Sequence, residues 1–96
     1  MLVEISTGKV DVNPVSPEHR VRHREKLRAT LNAENDDKKS LAFFDLEDEI
    51  FRFGRELCPN FDKMNLEDQQ TVVAEIVNVI NGTRKDFTNA SSSPQT

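Results

Sequence analysis

Five apolar residues in the middle of the chain recur at intervals of three, four, three and four positions. They are Phe43, Leu46, Ile50, Phe53 and Leu57. This spacing places all five side chains on one face of an α-helix. Ser40 is a suitable N-cap for that helix. Pro59 lacks an amide hydrogen and disfavours helical geometry at the preceding residue, so the helix is predicted to end near Leu57.

A second helix is predicted after a short corner. Asn65 is a suitable N-cap, and Glu67 and Asp68 lie in the first turn, where the helix dipole favours negative charge. The helix is predicted to end at Asn81-Gly82. Because β-branched residues lower helix propensity, a strand over VVAEIVNVI remains the alternative. The apolar positions of helical period are Val72, Val73, Ile76, Val77 and Ile80.

The segments around this helical pair are more polar. The first residues alternate weakly, but an isolated two-stranded hairpin is barely stable in water, so a flexible tail is expected. The predicted fold class is all-α, a small helix-loop-helix of two amphipathic helices with an additional basic N-terminal helix and disordered tails. Its parts are a tail over 1–15, a basic helical arm over 16–31, a linker over 32–40, the helix-loop-helix module over 41–82 and a disordered tail over 83–96.

Composition and charge exclude several classes of protein. With 35% apolar and 31% charged residues, the chain is too polar to be packed throughout. Residues 41–96 carry five basic and ten acidic side chains, so a nucleic-acid surface is not expected there. One cysteine excludes an internal disulfide framework. Without a signal peptide or a long apolar run, the chain is expected to be intracellular and soluble.

No catalytic, metal or cofactor site is predicted. His19 and His23 stand four residues apart, which could place two imidazoles on one helix face, but the surrounding arginines repel a cation. Cys58 has no histidine near it in sequence that could activate a thiolate. The exposed carboxylates are the ordinary polar face of an amphipathic helix. The chain is therefore not expected to be an enzyme or to bind a small-molecule substrate.

A helix-loop-helix unit of this size rarely buries both of its apolar faces alone, so association with a partner is predicted. The residues also match a known pattern. An aromatic residue lies six positions before a proline and a leucine two before it, and apolar residues lie two and five after it. A polar cap, a glutamine and a row of apolar residues follow. These positions are Phe53, Leu57, Pro59, Phe61, Met64, Asn65, Gln69, Val72, Ile76, Val79 and Ile80.

In this pattern residues 53–80 resemble the BESS motif, a helical interaction module of insect chromatin and transcription proteins that is often paired with a MADF DNA-binding domain. Glu56 stands where many such motifs carry serine, and the residues upstream are too few for a MADF domain. The resemblance implies a nuclear module for self-association or for binding other nuclear proteins. The predicted interface comprises Phe43, Leu46, Ile50, Phe53, Leu57, Pro59, Phe61, Met64, Val72, Ile76, Val79 and Ile80. The same residues could instead form only a small core.

Two other functions remain open. The basic segment over 19–28 could contact nucleic-acid phosphates, with the helical pair as a dimerisation element, or it could serve nuclear import or be a solvated helix face. Its cationic residues are Arg20, Arg22, Arg24, Lys26 and Arg28. Alternatively, the chain could be an adapter that places one amphipathic helix in a partner's groove. The principal expectation is a homo-oligomer that associates with DNA only indirectly and with no membrane.

Overall fold

A computed structural model describes residues 1–84 of the chain. It consists of three helices and a small antiparallel sheet of two strands, with a 3₁₀ turn at the corner between the last two helices. The elements are β1 Leu2–Ile5, β2 Gly8–Asp11, α1 Pro17–Leu31, α2 Asp36–Leu57, the 3₁₀ turn Phe61–Lys63 and α3 Leu66–Ile80. The prediction of an all-α fold is therefore wrong for the first residues of the chain. Most of the predicted tail at 83–96 lies outside the described residues.

The N-terminal hairpin is part of the core, whereas a flexible tail was expected over 1–15. Val3 pairs with Val10 across the two strands, and Val3 and Val12 are fully buried. The turn is attached to α3 because Ser6 donates its amide and its hydroxyl to the buried carboxylate of Asp68, at 3.0 and 2.7 Å. The hairpin is stable here because α3 covers its apolar face, which an isolated hairpin lacks.

Helices α1 and α2 form an antiparallel pair. Helix α2 begins at Asp36, so the predicted linker over 32–40 is too long and Ser40 is not the N-cap. Asn35 caps the helix instead, because its side chain accepts a hydrogen bond from the Lys38 amide at 2.9 Å. Asp36 and Asp37 in the first turn further favour an early start.

The corner between α2 and α3 lies where the sequence predicts it. Helix α2 ends at Leu57, and Asn65 caps α3 by accepting the Asp68 amide at 2.8 Å. The predicted helix stop before Pro59 and the predicted N-cap are thus confirmed, and the strand alternative for the last segment is excluded. Asn60 takes a left-handed backbone conformation, φ 61°, which lets the chain reverse within a few residues.

The core lies between the C-terminal half of α2, helix α3 and the hairpin. Phe53 and Ile76 are its largest fully buried side chains, and Phe61 of the 3₁₀ turn belongs to the same buried cluster. Within residues 1–84, none of the helices has the length and apolar character that crossing a membrane requires.

Candidate protein interaction surfaces

Most of the residues predicted to form an interface lie in the core of the monomer. Ile50, Met64 and Ile80 are partly buried against that core, and only Phe43 and Pro59 are exposed. The apolar faces of α2 and α3 therefore pack against each other and against the hairpin. A surface for association must lie elsewhere on the molecule. The buried members of the predicted set are Leu46, Phe53, Leu57, Phe61, Val72, Ile76 and Val79.

Two aromatic side chains remain exposed on the N-terminal half of α2. Phe43 is 48% exposed and Phe44 is 57% exposed, with their ring centroids 6.4 Å apart. Monomeric proteins rarely leave adjacent large apolar side chains in water without a use for them. Phe43 belongs to the predicted stripe and Phe44 follows it, and both side chains are free to contact another molecule.

Charged residues flank these aromatics at helical spacing. Lys39, Phe43 and Glu47 lie four residues apart in turn, so all three occupy one face of α2. Lys39 and Glu47 are exposed, and neither forms a salt bridge with another residue of the described chain. We call Lys39, Phe43, Phe44 and Glu47 the α2 outer face.

An apolar groove continues the α2 outer face toward α3. It has a volume of about 400 Å³ and begins at Glu47. Gln70 and Asn78 add polar groups to its lining. This combination of an apolar floor with polar groups is typical of protein interfaces. The apolar residues of the groove are Ile50, Phe51, Val73, Ala74 and Val77.

The basic segment of α1 is partly used inside the monomer. Arg20 donates a hydrogen bond to the carbonyl of Ile80 at 2.9 Å. Arg22 donates to Glu49 at 2.5 Å and to both carboxylate oxygens of Glu56 at 2.9 and 3.0 Å. Its guanidinium carbon also lies 4.9 Å from the centre of the Phe53 ring.

The other three cations of the segment are Arg24, Lys26 and Arg28. No ion pair joins any of them to the rest of residues 1–84. Arg24 and Arg28 are exposed, and Lys26 is half-buried. Only part of the predicted cationic set is therefore available to a phosphate backbone.

His19 joins the start of α1 to α2. The Ser16 amide donates to His19 Nδ1 at 3.2 Å, which leaves the proton of the neutral ring on Nε2, and Nε2 donates to Glu56 Oε1 at 2.8 Å. The Ser16 hydroxyl lies 2.7 Å from Nδ1 and accepts the His19 amide at 3.3 Å. The ring also packs edge-on against Phe53, with centroids 5.1 Å apart. Although a serine, a histidine and a glutamate are hydrogen-bonded in series, these contacts cap the start of α1 and attach it to α2.

The ionisable groups between α1 and α2 are shifted by their surroundings. The hydrogen bonds that Arg22 donates to Glu56, together with the one to Glu49, raise the pKa of Arg22. Hydrogen bonds from Arg22 and His19 lower the pKa of Glu56 despite its partial burial. Burial alone would raise the pKa of Glu49, but Arg22 and Arg52 outweigh it and the pKa is lowered. Burial lowers the pKa of His23 and so favours its neutral ring.

Sequence reasoning missed two members of the α2 outer face. Lys39 lies in the predicted linker over 32–40, and Glu47 is one of the exposed carboxylates predicted to form only the polar face of the helix. The spacing of four residues from Lys39 to Phe43 and from Phe43 to Glu47 was a signal that could have joined them.

Comparison with known proteins adds no identification. The chain matches no protein-family model, no curated protein and no solved structure.

Proposed function

We propose that this protein is a protein–protein interaction module that associates with a second copy of itself through the α2 outer face. The observation that carries the proposal is the exposure of Phe43 and Phe44, side by side on a rigid helix. Aromatic side chains of this kind supply much of the binding energy at protein interfaces. The resemblance to the BESS motif supports the same function.

The charges on the outer face favour a second copy as the occupant. If two α2 helices lie antiparallel with Phe43 at the two-fold axis, Lys39 of each copy lies opposite Glu47 of the other. Both charges lack a partner within the described monomer, so pairing them costs no existing ion pair. Such self-complementarity is what a two-fold interface requires.

The proposed setting is nuclear, in chromatin or transcription regulation, and it rests on the resemblance alone. Direct DNA binding by the segment over 19–28 has weaker support, because Arg20 and Arg22 are used inside the monomer. In this proposal, contact with DNA comes through a protein partner.

Matched substitutions inside and outside the α2 outer face test the proposal. Phe43→Asp is expected to leave a folded protein but to weaken association through this face by more than tenfold, because a charge replaces an apolar side chain in the contact. Val21→Asp is the matched control. Val21 is 45% exposed, close to the 48% of Phe43, but it lies on α1 and outside the α2 outer face. Sedimentation equilibrium of both variants measures the effect, and circular dichroism checks that each is folded.

Charge reversal provides the second arm of the test. Lys39→Glu is expected to weaken association, and the double variant Lys39→Glu with Glu47→Lys is expected to restore it, because the opposite charges again face each other. If Phe43→Asp and Val21→Asp have equal effects, or if the double variant restores nothing, the proposed face is wrong.

A further inference from the structure

The outer edge of β2 carries backbone groups that point away from the protein's own sheet. Met1 and Val12 exchange hydrogen bonds with each other, at 2.7 Å in both directions. In an antiparallel ladder, pairs that exchange hydrogen bonds alternate with pairs that do not. Asp11 lies one step from Val12 along the ladder and Lys9 lies two residues further, so both belong to pairs that do not exchange hydrogen bonds. Their amide and carbonyl groups therefore point outward from β2.

The outer edge of β2 is covered at one end only. The Asn13 amide donates to the carbonyl of Leu57 at 2.8 Å, so the end of α2 satisfies the edge there. Further along, Lys9 borders a cleft of about 500 Å³ that has Pro59 and Lys63 among its other lining residues. Within residues 1–84, no partner is found for the outward backbone groups of Lys9 and Asp11.

We propose that β2 of a second copy of this chain pairs antiparallel with this edge, around a two-fold axis at Val10. In this register, the outward groups of Lys9 exchange hydrogen bonds with those of Asp11 in the second copy, and the same occurs on the other side of the axis. The two hairpins then form one four-stranded sheet. Strand addition of this kind satisfies main-chain groups that an exposed edge leaves to water.

The side-chain charges select this register. Only residues with outward backbone groups can pair, so the symmetric alternatives place Lys9 opposite Lys9 or Asp11 opposite Asp11. Both bring like charges together, which destabilises a cross-strand pair. The register at Val10 instead places Lys9 opposite Asp11 of the second copy on both sides of the axis. Lysine on an edge strand normally discourages pairing, and here an opposite charge offsets it.

The charged groups around Asp11 leave room for this contact. The Met1 amine lies 3.2 Å from Asp11 Oδ1, yet the Asp11 side chain is 81% exposed and its other oxygen is available. Lys63, across the cleft, adds a positive charge on the side that would receive the second copy's Asp11. The cross-strand attraction is therefore reinforced by this neighbour.

This inference rests on the proposed self-association but uses a different surface. A protein with two separate two-fold interfaces assembles beyond a dimer, into a tetramer if the axes allow closure and into a chain of copies if they do not. Loss of either surface should leave a dimer held by the other. The two proposals can therefore fail independently.

A disulfide across the axis tests the pairing directly. In the full chain carrying Cys58→Ala, which removes the native thiol, Val10→Cys should give a covalent dimer under mild oxidation. At a non-hydrogen-bonded antiparallel pair the two Cα atoms lie about 4.5 Å apart, within the range that a disulfide spans. Lys9→Cys is the control, because in this register it faces Asp11 rather than itself. Equal cross-linking of the two variants, or no cross-linking of Val10→Cys, overturns the proposal.

Two further variants keep the test independent of folding and of the helical face. Lys9→Glu should weaken association through the strand by about tenfold, and Lys9→Glu with Asp11→Lys should restore it. In a Phe43→Asp background, Val10→Cys should still form the covalent dimer. If the disulfide does not form in that background, the strand pairing depends on the helical contact and the proposal is wrong.

Discussion

Gly54 lies inside α2, where glycine ordinarily weakens a helix, and Phe61 explains why it is there. A Cβ atom at position 54 would lie 2.5 Å from Cε1 and Cζ of the Phe61 ring. Non-bonded carbon atoms prefer separations of about 3.5–4.0 Å, so in a Gly54→Ala variant the ring must move by about 1 Å. The ring has little freedom to do so, because it is buried and packs edge-on against Phe51 with centroids 6.0 Å apart.

Gly54→Ala is therefore expected to destabilise the fold, against the usual trend. Replacing a helical glycine by alanine gains about 1 kcal/mol. Overpacking a core costs about 1–3 kcal/mol, and a contact this short belongs at the upper end. The net loss in the free energy of unfolding is about 1–2 kcal/mol, and each kcal/mol lowers Tm by about 4–8 °C in a domain of this size.

Thermal and urea unfolding, both at one fixed protein concentration, measure this effect. The fixed concentration is needed because association changes the apparent stability. The matched control is the same substitution in a Phe61→Leu background, where the smaller side chain makes room and Gly54→Ala should be neutral or stabilising. A higher Tm for Gly54→Ala in the native background would refute the packing of Phe61 over α2.

Two further predictions concern the contact between α1 and α2. Burial lowers the pKa of His23 from its ordinary value of 6.5. Below that pH, the unfolded chain binds a proton at His23 more readily than the folded chain does. The protein therefore loses stability as the pH falls from 6.5 toward the pKa of His23 in the folded state. The urea midpoint should therefore fall as the pH drops below about 6.5, and His23→Leu should remove this fall. Arg22→Met should cost about 2–4 kcal/mol of unfolding free energy, because it removes one partner of buried Glu49, whereas Arg24→Met on the exposed face should cost less than about 0.5 kcal/mol.

The sequence predicted the corner between the long helices because local rules determine it. The apolar stripe of α2 and the N-cap at Asn65 are read from residues close together in the chain. The start of α2 was placed too late because two capping residues compete there. Asn35 is the actual N-cap, and the helix continues through Ser40 without interruption.

The hairpin and the packing of α1 could not be predicted in the same way. Val3 and Val12 become core residues only because α3 covers them, a contact between distant parts of the sequence. Helix α1 packs against α2 with buried His19 and His23 and with Arg22, polar residues that a search for apolar periodicity does not detect.

Most residues of the predicted interaction site are buried within the monomer. Periodicity identifies which side chains are apolar and share a face, but it does not say which of them the rest of the chain covers. Phe53 and Phe43 fit the same stripe, yet Phe53 is fully buried and Phe43 is not. The hairpin and α1 decide that difference, and both were expected to lie apart from the helical pair.

Sedimentation equilibrium of the full chain over a hundredfold range of concentration tests the central claim of self-association most directly. The account predicts a mass that rises above that of the monomer with concentration. It also predicts that Phe43→Asp reduces this rise and that Val21→Asp does not. A monomer of unchanged mass across the whole range, with helical content also unchanged, would contradict it.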